Sequence, residues 1–265
     1  VSGATITSNL EDDAAILFDA VRAAGALALE YFGGDIKQWD KGDDDPVSEA
    51  DHAVNDLLHE KLRGARPKYA WLSEESEDDL SRHNARFTWV VDPIDGTRAF
   101  LKHEPQFTVT VALVENGAAV AGVIFNPATD EFYEAVKGTG GRLNGSPITI
   151  GGSSDFANAK LLAPRKPFQK ANWSEVIDHA EFQFVNSMAY RMALVADGRF
   201  DATVTLSRKN DWDIAAGILI VEEAGGVVTH LDGSAIILNQ SSTLHPDLVI
   251  ANRVLHEEII ERLGD

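Results

Sequence analysis

The sequence predicts a layered α/β protein, and three observations carry that expectation. Apolar residues recur at helical spacing early in the chain, β-rich runs joined by an Asn-Gly turn follow from Phe87, and strands alternate with helices in the second half. With 265 residues, 44% of them hydrophobic, the chain can bury a substantial core as one large unit or two smaller ones.

In chain order, Ala14, Leu17, Phe18, Val21, Ala24, Leu27 and Ala28 predict an amphipathic helix over residues 11–32, stopped by Gly33-Gly34. The acidic run Asp43-Asp44-Asp45 is expected to form an exposed, mobile loop with no direct metal role for all three. Ser48 or Asp51 then caps a second helix, whose face of Val54, Leu57, Leu58 and Leu62 ends near Gly64 and Pro67. Strands are expected over 107–114 and 119–125, because Asn116-Gly117 between them is a strong hairpin signal. Further strands are read at 131–136, at 142–143 before the turn at Asn144-Gly145, and at 160–163. Residues 188–196 and 212–223 read as helices.

Composition narrows the function classes. A formal charge of −19 repels nucleic-acid polymers and anionic membranes at long range, so local basic residues must handle any anionic substrate. The absence of cysteine excludes disulfides, thiolate metal sites and thiol nucleophiles, which fits a cytoplasmic protein. No secretory signal is read in residues 1–13, and no window approaches the ~18 apolar residues of a membrane span.

The most informative stretch is Trp89-Val90-Val91-Asp92-Pro93-Ile94-Asp95-Gly96-Thr97. An apolar strand delivers two carboxylates, a carbonyl and a hydroxyl to one point, which is the donor set of a hard cation such as Mg²⁺. Pro93 turns the chain, Gly96 permits close backbone approach, and Thr97 opens a short helix whose first amides suit phosphate. An ordinary turn at a strand end has the same look. Glu74-Glu75 after an apolar stretch and Trp212-Asp213 at a helix start supply further acids that the fold can bring to the same loop.

Taken together, these motifs resemble the inositol monophosphatase superfamily of Mg²⁺-dependent, lithium-sensitive phosphatases. The resemblance runs over nearly the whole chain: Lys41, then Pro46-Val47-Ser48-Glu49-Ala50-Asp51, Leu72-Ser73-Glu74-Glu75-Ser76, Asp92-Pro93-Ile94-Asp95-Gly96-Thr97, Trp212-Asp213-Ile214-Ala215-Ala216-Gly217 and Glu223-Ala224-Gly225-Gly226. It implies an α/β/α/β/α sandwich, with an antiparallel-sheet half over 1–150 holding most metal ligands and an α/β half over 151–265 holding Asp213. It also implies two or three Mg²⁺ ions, with Mn²⁺ as a substitute, held by Glu74, Asp92, the Ile94 carbonyl, Asp95 and Asp213. Asp51 and Thr97 resemble the pair that takes a proton from water, with Glu74 also serving catalysis. Trp212 is expected to pack in the core and hold Asp213, and Gly225-Gly226 to turn the chain out of its helix. The histidines are expected to be structural or exposed.

Substrate contacts are expected from Lys41, Asp95, Gly96, Thr97, Ser187, Arg191, Arg208 and Lys209. Relatives that hydrolyse inositol phosphates carry a Gly-Ser/Thr-Ala motif and a downstream acid; here Asn186-Ser187-Met188 and Thr205-Leu206-Ser207 stand in those places. Arg191, Arg208 and Lys209 suit a second phosphate, so the chain looks most like the bacterial 3′(2′),5′-bisphosphate nucleotidase branch, converting adenosine 3′,5′-bisphosphate to AMP and phosphate. Surface placement of these cations is the plain alternative. Inositol-1-phosphate is the other leading substrate, with histidinol phosphate and fructose 1,6-bisphosphate behind it. A regulatory partner-binding protein that keeps the fold is the non-enzyme alternative, and a homodimer is compatible with the resemblance.

Overall fold

The computed structural model describes residues 3–42, 46–153, 155–165 and 180–263; the acidic run Asp43–Asp45 lies outside them. The first helix, α1 (Gly3–Tyr31), starts before residue 11 and buries Ala14, Leu17, Val21, Ala24 and Ala28. A small antiparallel pair, β1 (Gln38–Asp40) and β2 (Pro46–Ser48), leads into α2 (Glu49–Ala65), which Ser48 caps.

A seven-stranded sheet follows, ordered as its strands occur in the chain: β3 (Ala70–Ser73), β4 (Phe87–Asp95), β5 (Thr108–Glu115), β6 (Ala118–Asn126), β7 (Glu131–Val136), β8 (Gly141–Leu143) and β9 (Ser146–Pro147). β3 and β4 run parallel and the other neighbours antiparallel. Asn116 and Gly117 both take positive φ, 51° and 80°, the left-handed pair that a two-residue hairpin needs. The short helix α3 (Thr97–Leu101) follows β4.

The second sheet has five strands in the order β11 (Glu181–Gln183), β10 (Lys160–Leu162), β12 (Ala202–Thr205), β16 (Leu248–Ala251) and β14 (Val227–Thr229). Helices α4 (Met188–Ala196), α5 (Asp211–Glu223) and α6 (Arg253–Leu263) accompany it, and β13 (Lys209–Asn210) pairs with β15 (Leu244–His245). Gly225, at φ 90°, and Gly226 close α5 by donating to the Glu222 and Val221 carbonyls, a Schellman ending.

Strand alternation sorts the core into layers. Trp89, Val91, Val111 and Val123 face α1 and α2, whereas Val90, Ala112 and Ile124 face α4 and α5. The far side of those two helices meets Leu162, Leu248 and Ile250 of the second sheet, and that sheet's other face, with Leu161, Val249 and Ala251, packs on Leu255 and Ile259 of α6. The result is five layers, α/β/α/β/α. The middle core draws on both sides of residue 151; all nine residues of α4 are buried, and every one except Arg191 belongs to this core. Among the described residues no helix is long and apolar enough to cross a membrane.

Candidate metal and phosphate site

β4 organises the site through a bulge. Asp92 pairs with Thr110 and Asp95 with Thr108, so three steps along β4 match two along β5. Pro93, which has no N–H to lose, sits within the irregularity. Without the extra residue, positions 92 and 95 would fall on opposite sides of the pleat; with it, both acids reach one side. One carboxylate oxygen from each lies within 4.8 Å of the other and of an oxygen of Asp213.

Beyond the bulge, the Ile94 amide donates to Asp92 Oδ1 at 3.1 Å. Gly96 then adopts φ +99°, and a Cβ there would stand 2.6 Å from the Gln106 carbonyl oxygen, so no other residue fits without strain. Thr97 Oγ lies 3.0 Å from the Ile94 carbonyl and 3.1 Å from Asp51 Oδ1, joining β4 to α2.

Asp51 and Asp213 occupy the same local position, the third residue of a helix. Asp51 Oδ2 accepts from the Ser48 amide at 2.8 Å and the Ser48 hydroxyl at 2.6 Å; Asp213 Oδ2 accepts from the Asn210 amide at 2.7 Å. One oxygen of each acid is thus tied to a helix start, where the helix dipole favours negative charge. The start of α5 is fixed in turn by buried Asp211, 2.7 Å from His245 Nε2 and accepting from the Asn239 amide at 2.7 Å. Trp212 packs against the middle core beside it.

Ser187 turns inward. It caps α4 and donates to Asp95 Oδ2 at 2.7 Å, which also accepts from the Ala189 amide at 2.6 Å. It is fully buried and does not line the cleft, so its place is behind Asp95 and not in contact with solvent. A chain of hydroxyls from Thr110 through Thr108 continues the support.

Glu74 and Glu75 sit in a turn braced by side chains that sequence reading missed. Ser73 donates to Asn55 Oδ1 at 2.7 Å, and Ser76 Oγ accepts from both Asn55 and Trp71. Asn55, a polar residue on the buried face of α2, was the available signal. Lys41 Nζ reaches Glu74 and Glu75, at 2.8 Å each. Burial alone would lower the Lys41 ammonium, but attraction to Glu74 and the bonds to both acids raise it instead.

The acids are crowded and largely dry. Burial lifts Glu74 to about 7 despite Lys41, and burial with repulsion from Glu74, Asp95, Asp213 and Asp51 holds Asp92 well above the ordinary carboxylate range. Asp95 and Asp51 are also raised by burial, against the hydrogen bonds they accept. Excess negative charge on oxygen donors in a low-dielectric pocket fits a hard divalent cation, which would replace the protons these groups otherwise hold.

A cleft of about 390 Å³ opens over Glu74, Asp92, Ile94, Asp95, Gly96, Thr97 and Asp213. The second-sheet half contributes Arg191, Lys209 and the Thr205-Leu206-Ser207 segment, none of the three an acid. Arg191 is buried, its Nε bonded to the Val185 carbonyl at 2.5 Å. Burial lowers its pKa, opposed by Asp95 and Asp213. Lys41, Asp51 and Arg208 do not line this space, and Arg208 is exposed. Phe184, which no motif marked, lines it too, beside Leu206 of the Thr205-Leu206-Ser207 segment.

The chain matches the model of the inositol monophosphatase family over residues 9–265. It belongs to that family. This inositol monophosphatase family member is 33% identical over 257 residues to the inositol-1-monophosphatase of Rhizobium meliloti, covering 93% of this chain and 95% of that protein. It is 30% identical over 266 residues to the histidinol-phosphatase of Chlorobaculum parvum, covering 96% and 97%. The extragenic suppressor protein suhB from Bartonella henselae superposes with a TM-score of 0.83 at 30% identity, covering 94% of this chain and 97% of that one. Family members of this kind are phosphatases, and the chain is a hydrolase of phosphoric monoesters.

Proposed function

We propose that the protein is a Mg²⁺-dependent phosphomonoesterase acting on a small metabolite that carries two phosphates, with adenosine 3′,5′-bisphosphate as its substrate and AMP and phosphate as products. The observation that carries this reading is the pairing, in one cleft, of an acidic cluster with the second-sheet half's cations Arg191 and Lys209, and no acid at Thr205-Leu206-Ser207. A polyol would want a carboxylate acceptor there. A second phosphate wants cations, Arg as a fork and Lys as a point charge. Arg208, exposed and outside the cleft, adds nothing to the argument.

In this reading Glu74, Asp92, the Ile94 carbonyl, Asp95 and Asp213 hold two or three Mg²⁺ ions, or Mn²⁺ in their place. Such ions would supply charge to neutralise the ester phosphate and would lower the pKa of the attacking water. Thr97 stands within hydrogen-bond distance of Asp51, a pair suited to accept that water's proton. Ser187 and the Ala189 amide hold Asp95 in place. Lys41 balances Glu74 and Glu75. Gly96, in a left-handed conformation and packed against the Gln106 carbonyl, sets the turn that brings Thr97 to the cleft.

Inositol-1-phosphate is the second reading, favoured by the Rhizobium meliloti relative's name. Phosphate release from adenosine 3′,5′-bisphosphate, inositol-1-phosphate, histidinol phosphate and fructose 1,6-bisphosphate, with Mg²⁺ and with EDTA, tests both. The bisphosphate nucleotide should have the highest kcat/KM and EDTA should abolish turnover. A preference for inositol-1-phosphate would replace the first reading with the second.

A further inference from the structure

Phe184 is 55% exposed and Leu206 43% exposed, although both line the cleft that holds the acids and cations. Leaving large apolar side chains wet beside a charged site forgoes burial energy, and apolar patches rimmed by polar groups commonly mark ligand contacts. The Phe184 ring is also backed. The Arg191 guanidinium carbon lies 4.4 Å from its centroid, close enough for a cation–π contact. Arg191 is itself fixed by burial and by its bond to Val185, so the ring is held by a rigid support while more than half of the residue stays open.

We infer that Phe184, backed by Arg191 and accompanied by Leu206, is a shelf on which a planar heteroaromatic ring of the substrate stacks. A ring placed there covers the exposed apolar surface and extends an existing guanidinium–ring pair. A polyol has no π-face and leaves the same surface wet. Phe184 is thereby a specificity-determining residue for ring-bearing phosphate esters, with the ring seated near the cations that would take a second phosphate. The inference rests on the phosphatase reading above. Its ring could belong to a nucleobase or to an imidazole, and the shared feature is a flat aromatic heterocycle.

Binding separates the ring from the phosphate. Adenosine 5′-monophosphate and ribose 5-phosphate share sugar and phosphate and differ by the base. In equilibrium titrations of the full chain with Mg²⁺, the nucleotide should bind about tenfold more tightly, the order expected for base–aromatic stacking. Phe184→Ala should bring that ratio near one, and Phe184→Trp should restore it. Histidinol phosphate against ethanolamine phosphate repeats the comparison for an imidazole. A ring preference that Phe184→Ala removes in the first pair alone supports the shelf and assigns it a nucleobase; in the second pair alone, it supports the shelf and assigns it an imidazole. Equal binding of ringed and ringless esters in both pairs, or ratios that Phe184→Ala leaves unchanged, would overturn the inference. The reading on which it rests fails by a different result, the absence of phosphate release from all four esters of the panel with Mg²⁺, whatever the binding ratios.

Discussion

Asp95 is the residue on which the two halves of the molecule meet. It comes from β4, is bonded by the cap of α4, and approaches Asp213 of α5. Asp95→Asn keeps the volume and one acceptor oxygen but removes the charge, so the fold should persist while kcat falls at least about 100-fold. Circular dichroism alongside phosphate release checks this, and near-normal turnover would contradict the assignment. Arg191→Ala should raise KM for adenosine 3′,5′-bisphosphate about tenfold more than for adenosine 3′-monophosphate, which has the same base and one phosphate fewer. Equal effects on both would mean that Arg191 only packs. Neighbouring residues show where the sequence stops being legible at this scale. Arg208 and Lys209 are adjacent cations, yet only Lys209 lines the cleft, because successive residues entering β13 point in different directions. Ser187 has the composition of a substrate contact and lies buried behind Asp95 instead, a fate set by how α4 docks.

Among the elements, two helix starts carry acids of the candidate site at their third positions, and the sequence patterns around Ser48-Asp51 and Asn210-Asp213 show why. The start of α5 depends on the buried Asp211–His245 contact. His245→Ala leaves an unmatched buried carboxylate oxygen and should cost about 2 kcal/mol of stability in urea denaturation, with a raised Mg²⁺ requirement for activity as Asp213 loses its fixed support. An unchanged Mg²⁺ requirement would separate that contact from the site. Local signals were sufficient for hairpins and helices: Asn116-Gly117 takes the left-handed pair its composition demands, and α4 spans the residues that apolar run predicts. The β4 bulge was hidden. Asp-Pro-Ile-Asp reads equally as a turn, and only the pairing with Thr108 and Thr110 reveals that both acids face one way.

At the scale of the whole molecule, layers cannot be read from periodicity alone, because a helix covered on two sides is apolar all round and names neither partner. The assembly followed from resemblance, and the core clusters bear out the five layers. The gathered acids have a thermodynamic consequence. Folded, Glu74 titrates near 7 and Asp92 is held high, whereas unfolded carboxylates ionise near about 4. Between those values the folded chain binds more protons, so without a divalent cation its stability falls as pH rises from about 4 through 7. Mg²⁺ or Mn²⁺ should therefore raise the Tm little at pH 5 and much more at pH 8 in thermal-shift measurements. Equal shifts at the two pH values would tell against these acids as the binding site.

Because α4 has no wet side and α5 is pressed between both sheets, neither half of this chain is a spare part. Severing it near residue 150 would leave Glu74, Asp92 and Asp95 on a sheet bare on the face that α4 and α5 cover, and would send Asp213 away on a helix pressed against the second sheet alone. The acids from the two sides of the chain are thus gathered only where both sheets close on α4 and α5.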